Sequence, residues 1–225
     1  LHTSAVVKNT AAYEHIDPEL VGNNRWFPVS EQAGRAAIIQ RAATCGIELK
    51  PDDPRVPEIL KTVKDLEARG ANFDIADGSF QLLMKRILGL HKKFFTLHGF
   101  QVTNVKRQGD TKTYSDAIVR IVVGDQMEFS AAEGNGPVNA LDKAFRKALQ
   151  AFYPCVRDVR LTDFKVRVLE GTSGTGATVI VLIESTDGQD VWWTCGFNEN
   201  VIQASWDALV DSIDYKLQKD FSCGP

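Results

Sequence analysis

Residues 94–219 carry the same order of secondary-structure signals twice, and this duplication constrains the fold more than any single motif. Phe94–Lys106 alternates like a strand, Ala117–Val123 is rich in β-branched residues, Gly124-Asp125 marks a hairpin turn, and Met127–Ala132 returns. An amphipathic helix follows, with Leu141, Ala144, Phe145, Ala148, Leu149 and Phe152 on one face. The plan then recurs. Leu161–Leu169 reads as a strand, Thr178–Glu184 is β-branched, Asp187-Gly188 turns and Val191–Gly196 returns. A helix from about Val201 carries Ile202, Trp206, Leu209, Val210, Ile213 and Leu217 on one face. An offset of 64 superimposes the two units with seven identities over residues 97–153, near chance. The matched order of elements is the signal, not the identity. One three-stranded sheet with one helix buries too little apolar surface to stand alone. Two β-β-β-α units packed helix against sheet would share one core, giving an α+β fold. Such an arrangement leaves a sheet or helix face for a second chain, so a two-fold homodimer is expected.

The first ninety residues are helical or irregular. Gln32–Cys45 is rich in Ala and Ile and stops at Gly46. Asp53-Pro54 gives an N-cap followed by Pro, and Ile59, Leu60, Val63 and Leu66 follow at helical spacing up to Gly70. A third helix is predicted from about Asp77 to Leu88, with Phe80, Leu83, Met84 and Ile87 on its apolar face. Three short helices with polar connectors make a poor core of their own. Their apolar faces need a partner surface, and the sequence allows that surface to be absent from this chain. The divisions expected are 1–50, 51–92 and 93–225.

Charge and composition exclude several function classes. Lys plus Arg number 26 and Asp plus Glu 29, so no basic field argues for nucleic acid or an anionic membrane surface. No apolar run approaches the roughly 20 residues of a membrane span. Cys45, Cys155, Cys195 and Cys223 lie scattered, with no CxxC pair and no His at ligand spacing. That argues against a disulfide framework or a zinc site, and for a reducing cytoplasm. The chain starts at Leu1 without a signal-like segment, and reads as a piece of something longer.

Among the motifs, Gly134-Asn135-Gly136-Pro137 leads from a strand into a helix N-terminus. Free N–H groups and the positive end of the helix dipole suit a carboxylate or phosphate there. Neither GxxxxGK[ST] nor GxGxxG is present, and Pro137 removes one donor, which favours a small carboxylate over a phosphate cradle. A tight strand-to-helix turn with a Pro start is the plainer alternative. The loop from Gly171 to Thr178 contains no Lys and reads as a hairpin connection or a ligand-gating flap. His2, Tyr13, Glu14, His15 and Asp17 are chemically competent for proton transfer, or simply solvated. His91, Lys92 and Lys93 read as a solvated connector. Trp192 and Trp193 face opposite sides of a strand, one toward the core.

Three stretches together resemble a known family. They are Leu1-His-Thr-Ser-Ala-Val-Val-Lys8, Tyr13-Glu-His-Ile-Asp-Pro-Glu-Leu-Val-Gly-Asn23 and Ser30-Glu-Gln-Ala-Gly-Arg35. They are similar to the linker after the catalytic barrel of 2-isopropylmalate and citramalate synthases, the second stretch closer to the citramalate branch. The turn Glu133–Pro137 and its Ala-containing helix resemble the regulatory domain of the same family.

The resemblance implies an acyltransferase parent that joins acetyl-CoA to a 2-oxo acid, pyruvate in the citramalate branch, on a metal-dependent (β/α)₈ barrel. This chain would hold the linker subdomains and the regulatory, dimerising domain, with no cofactor of its own, and would be inactive alone. His2 matches the linker histidine that reaches the barrel's active site, and Tyr13 a linker tyrosine near it. An end-product amino acid, isoleucine or leucine, would bind near the dimer interface and inhibit the barrel. Gly134, Asn135, Gly136, Pro137 and Val138 would line one wall of that pocket, and Val166, Val168, Gly176, Ala177 and Thr178 the other. A ligand-free dimerisation scaffold is the alternative from another class.

Overall fold

The computed structural model describes residues 16, 18–21, 34–106, 108–109, 111–169 and 174–220. Among the described residues a 3₁₀ turn (Pro18–Val21) is followed by three α-helices: α1 (Arg35–Thr44), α2 (Val56–Ala68) and α3 (Asp77–Ile87). The first β-β-β-α unit contains β1 (Thr96–Val105), β2 (Tyr114–Val123), β3 (Gln126–Gly134) and α4 (Pro137–Gln150). The second contains β4 (Arg160–Val168), β5 (Val179–Thr186), β6 (Val191–Asn198) and α5 (Val201–Lys219). Each unit forms its own antiparallel three-stranded sheet, in the orders β1-β2-β3 and β4-β5-β6. The fold is α+β, as the element order predicts.

The repeat is far stronger in register than in identity. Phe100 pairs with Val119 and Phe164 with Ile183; Ala117 pairs with Ala132 and Val181 with Gly196. Every one of these partners is displaced by 64. The register slips between Leu97 and Gly99 in β1, and between Leu161 and Asp163 in β4, the same place in both units. Such a bulge bends an edge strand and raises its twist. Gly124 and Gly188 close the β2–β3 and β5–β6 hairpins at φ +57° and +88°, a region that a side chain disfavours.

Both helices pack between the two sheets into one core. Val119 and Ile121 of the first sheet and Val181 and Ile183 of the second meet Leu141, Phe145, Leu149, Leu209, Ile213 and Leu217. Trp192 is fully buried there, its indole N–H donating to the Ser212 carbonyl at 3.1 Å, while Trp193 packs on the opposite face under Lys165.

The partner surface for the leading helices lies within this chain. Val56, Ile59, Val63, Phe80 and Met84 form a second core with Ile180, Leu182 and Cys195 on the outer face of the β4-β5-β6 sheet. This explains an asymmetry between the central strands. β2 alternates buried and exposed positions, whereas Ile180–Ile183 are buried without a break. The outer face of the first sheet stays open, with Met127 59% and Phe129 54% exposed.

Polar groups pin α3 to the second unit. Asp77 Oδ1 accepts from the Trp193 N–H at 2.9 Å, and Ser79 Oγ accepts from the Cys195 N–H at 3.0 Å while donating to Asp211 at 2.7 Å. Arg86 donates to Asp211 and Asp214 at 2.8 and 3.0 Å. Burial pushes the Asp211 carboxyl up, with Arg86 and Ser79 pulling it back. His91 Nε2 lies 2.7 Å from Asp214 Oδ2, and Gln218 bridges the Lys92 backbone through both its amide oxygen and nitrogen. Residues 91–92 are therefore a polar seam against α5, correcting the expectation of a merely solvated connector. The charges that suggest solvation find their partners on a helix more than 120 residues away. Cys45 and Cys195 are free, but Cys155 is disulfide-bonded, which corrects the expectation against a disulfide: spacing carries no information on which thiols a fold brings together.

A further ion pair is expected to make the fold sensitive to acid. Asp187 Oδ2 lies 2.8 Å from Lys216 Nζ, both side chains buried, and Asp187 Oδ1 accepts from the Gln189 and Asp190 N–H groups. Burial raises the Asp187 carboxyl, but Lys216, these two amides and Lys219 outweigh it and hold it well below the usual carboxylate range. A depressed folded-state value gives stability that is present above the unfolded value of about 3.9 and lost as pH falls below it. Urea midpoints of the wild type should therefore fall between pH 5 and pH 2 more steeply than those of Asp187→Asn. Parallel curves would remove Asp187 as the cause.

Candidate functional site

The passage from β3 to α4 is shaped by two glycines with different roles. A Cβ on Gly134 would lie 2.4 Å from the Ala140 nitrogen, so only glycine lets the strand end sit on the first helical turn. Gly136 is extended at φ −171° and a Cβ there would meet nothing within 4 Å. Its lack of a side chain leaves space rather than relieving strain. Pro137 occupies the first helical turn, where no N–H is needed. The Val138 and Asn139 N–H groups precede the first intrahelical bond, which runs from the Ala140 N–H to the Gly136 carbonyl at 3.0 Å. Asn139 Oδ1 accepts from the Asn135 N–H at 3.3 Å, bracing the turn.

This turn opens on a cavity of about 500 Å³. One wall is Gly136, Pro137, Val138 and Asn139, with Asp142 and Arg146 one and two turns further along α4; the other is Arg160, Leu161 and Phe164 of β4. Asp142 is buried, and its Oδ2 accepts from Arg146 Nη2 at 2.5 Å. Arg146 Nη1 donates to the Val159 carbonyl at 2.7 Å, while its buried Nε has no partner among the described residues. Burial pushes the Asp142 carboxyl up, against the pull of Arg146 and Lys143. The cavity thus combines a helix N-terminus, an arginine, a buried carboxylate and an apolar wall. That set is complementary to a small zwitterion with an apolar side chain.

Of the residues expected here, Gly136, Pro137 and Val138 line the cavity, and Gly134 and Asn135 support the turn behind it. Val166 and Val168 share the strand face of Phe164 but lie beyond the lining, both exposed. Gly176 ends a short 3₁₀ turn, Ala177 is buried, and the Thr178 carbonyl accepts from the Leu169 N–H at 2.8 Å. None of these three lines the cavity. His2 and Tyr13 lie outside the described residues. Asp142, Arg146, Arg160, Leu161 and Phe164 were missed, although the repeat singles out Leu161 and Phe164 by their identity with Leu97 and Phe100. Among the described residues no three His, Cys, Asp or Glu side chains converge as a metal site. No described helix is long and apolar enough to cross a membrane.

Residues 74–217 match the family of the LeuA allosteric (dimerisation) domain. The chain belongs to that family. Residues 1–71 match a second one, the homocitrate synthase post-HMGL domain-like family, which accounts for the helices ahead of the LeuA-type domain. The chain is 48% identical over 219 residues to the (R)-citramalate synthase of Geobacter sulfurreducens, covering 97% of this chain and 42% of that protein. It is also 48% identical over 220 residues to that of Aquifex aeolicus, covering 98% and 42%. The Synechocystis enzyme is 44% identical over 227 residues, covering 100% and 41%. The chain therefore spans about two fifths of the length of the curated relatives it matches.

Proposed function

We propose that this LeuA-type chain is the effector-sensing, dimerising part of a citramalate synthase-like acyltransferase, and that isoleucine binding inhibits the condensation of acetyl-CoA with pyruvate. The observation that carries this reading is the cavity at the Gly136 turn. The ligand carboxylate faces the Val138 and Asn139 N–H groups and Arg160, and its branched side chain rests on Leu161 and Phe164. The exposed apolar rows on the first sheet and on β4 are surfaces a second copy can cover, in keeping with the dimerisation domain. The seam between α3 and α5 supplies a rigid connection from the sensing domain toward the linker.

Calorimetric titration with isoleucine, leucine and valine tests this reading. Saturable isoleucine binding is expected, weakened at least about tenfold in Gly136→Val, whose branched side chain would project into the cavity. Because a Cβ at position 136 meets nothing, the variant's melting temperature should stay near that of the wild type. Preference for leucine would move the parent to the isopropylmalate branch. A folded protein that binds none of the three is a scaffold, and the proposal fails.

A further inference from the structure

The two units differ at one position in a way that explains the cavity. Under the offset of 64, Asp142 of α4 corresponds to Trp206 of α5, and Phe164 of β4 to Phe100 of β1. Trp206 stacks on Phe100 with ring centroids 5.1 Å apart and packs against Phe145 at 4.7 Å, filling the space between α5 and β1. At the corresponding place between α4 and β4, the indole is replaced by a short carboxylate, and Phe164 faces the cavity instead. A position serving packing alone would favour an apolar residue, because a buried carboxylate costs desolvation and fills little volume.

We propose that Asp142 receives the ammonium group of the effector, so that the cavity selects α-amino acids over the 2-oxo and 2-hydroxy acids of the same skeleton. The assignment rests on reading the cavity as the effector pocket, and it adds what that pocket discriminates. Arg146, itself fixed on the Val159 carbonyl, holds Asp142 Oδ2. Asp142 Oδ1 accepts no hydrogen bond among the described residues. A ligand ammonium supplies the missing donor and a compensating charge. The ligand carboxylate is repelled by Asp142 and directed to the turn N–H groups and Arg160, which sets the orientation. A 2-oxo or 2-hydroxy acid brings no cation and leaves Oδ1 facing the ligand without a charged partner. The distinction matters to a sensor whose parent works on 2-oxo acids, since the effector's own oxo analogue must not trigger it.

The test titrates wild type and Asp142→Asn with isoleucine and with 2-hydroxy-3-methylpentanoate. Wild type should bind isoleucine at least about tenfold tighter than the hydroxy acid. Asp142→Asn should lose most of that preference by weakening isoleucine binding while leaving hydroxy-acid binding nearly unchanged. An unchanged preference in Asp142→Asn overturns the assignment. Wild type binding both ligands equally also overturns it, and this arm needs no variant to fold. If Asp142→Asn loses its cooperative thermal transition, Asp142→Glu, which keeps the charge but displaces it, should show the same selective loss. If neither ligand binds wild type, it is the effector-pocket reading that fails.

Discussion

Replacing Gly196 by alanine should reduce folding stability by about 3 kcal/mol or more. Gly196 lies on β6 opposite Val181, beneath the N-terminal half of α5. A Cβ there would sit 2.0 Å from the Ala204 carbonyl oxygen and 3.0 Å from the Ala208 nitrogen. Both are backbone atoms of a helix, so no side chain can rotate away, and relief requires α5 to lift from the sheet. That helix carries Leu209, Ile213 and Leu217 into the shared core, and its lifting also strains the Asp211 and Asp214 contacts to α3. Urea unfolding followed by circular dichroism measures the effect. Gly99→Ala is the control, because its Cβ meets nothing within 4 Å and should stay within about 0.5 kcal/mol of wild type. A Gly196→Ala protein as stable as the control would show that α5 is held more loosely than its packing implies.

Trp206→Ala should cost about 3–5 kcal/mol, the range for removing a large aromatic from a core. Trp206 is 3% exposed and joins α5 to both β1 and α4 through Phe100 and Phe145. Its removal opens, between α5 and β1, the kind of space that Asp142 leaves between α4 and β4. The midpoint of urea unfolding should fall with little change in slope, since the surface exposed on unfolding is nearly the same. A loss below about 1 kcal/mol would mean that the helices close over the gap, and that the cavity beside Asp142 is not a simple consequence of side-chain volume.

The chain's periodicity made most of its elements legible. Three leading helices, two hairpins and two long helices stand where apolar spacing and turn residues place them. The companion of the leading helices was legible too, had the unbroken apolar run Val179–Ile183 been read as a strand buried on both faces, in contrast to β2, whose Arg120 faces outward. The cavity was legible by half. Glycine and proline announce the turn because they act on the backbone of their own neighbours. Arg160, Leu161 and Phe164 reach the turn only through the packing of α4 across β4, and local pattern holds no record of that crossing.

The sequence alone determined the duplicated β-β-β-α plan, because alternation and helical spacing are properties of consecutive residues and survive near-complete divergence between the copies. Tertiary structure alone decided that the copies are unequal. The leading helices cover the outer face of one sheet and leave the other open. An aspartate standing in the place of a tryptophan turns a filled contact into a cavity. The consequence of such an exchange depends on what lies across the gap, and Phe100 and Phe164 meet their partners only when the two units fold over each other.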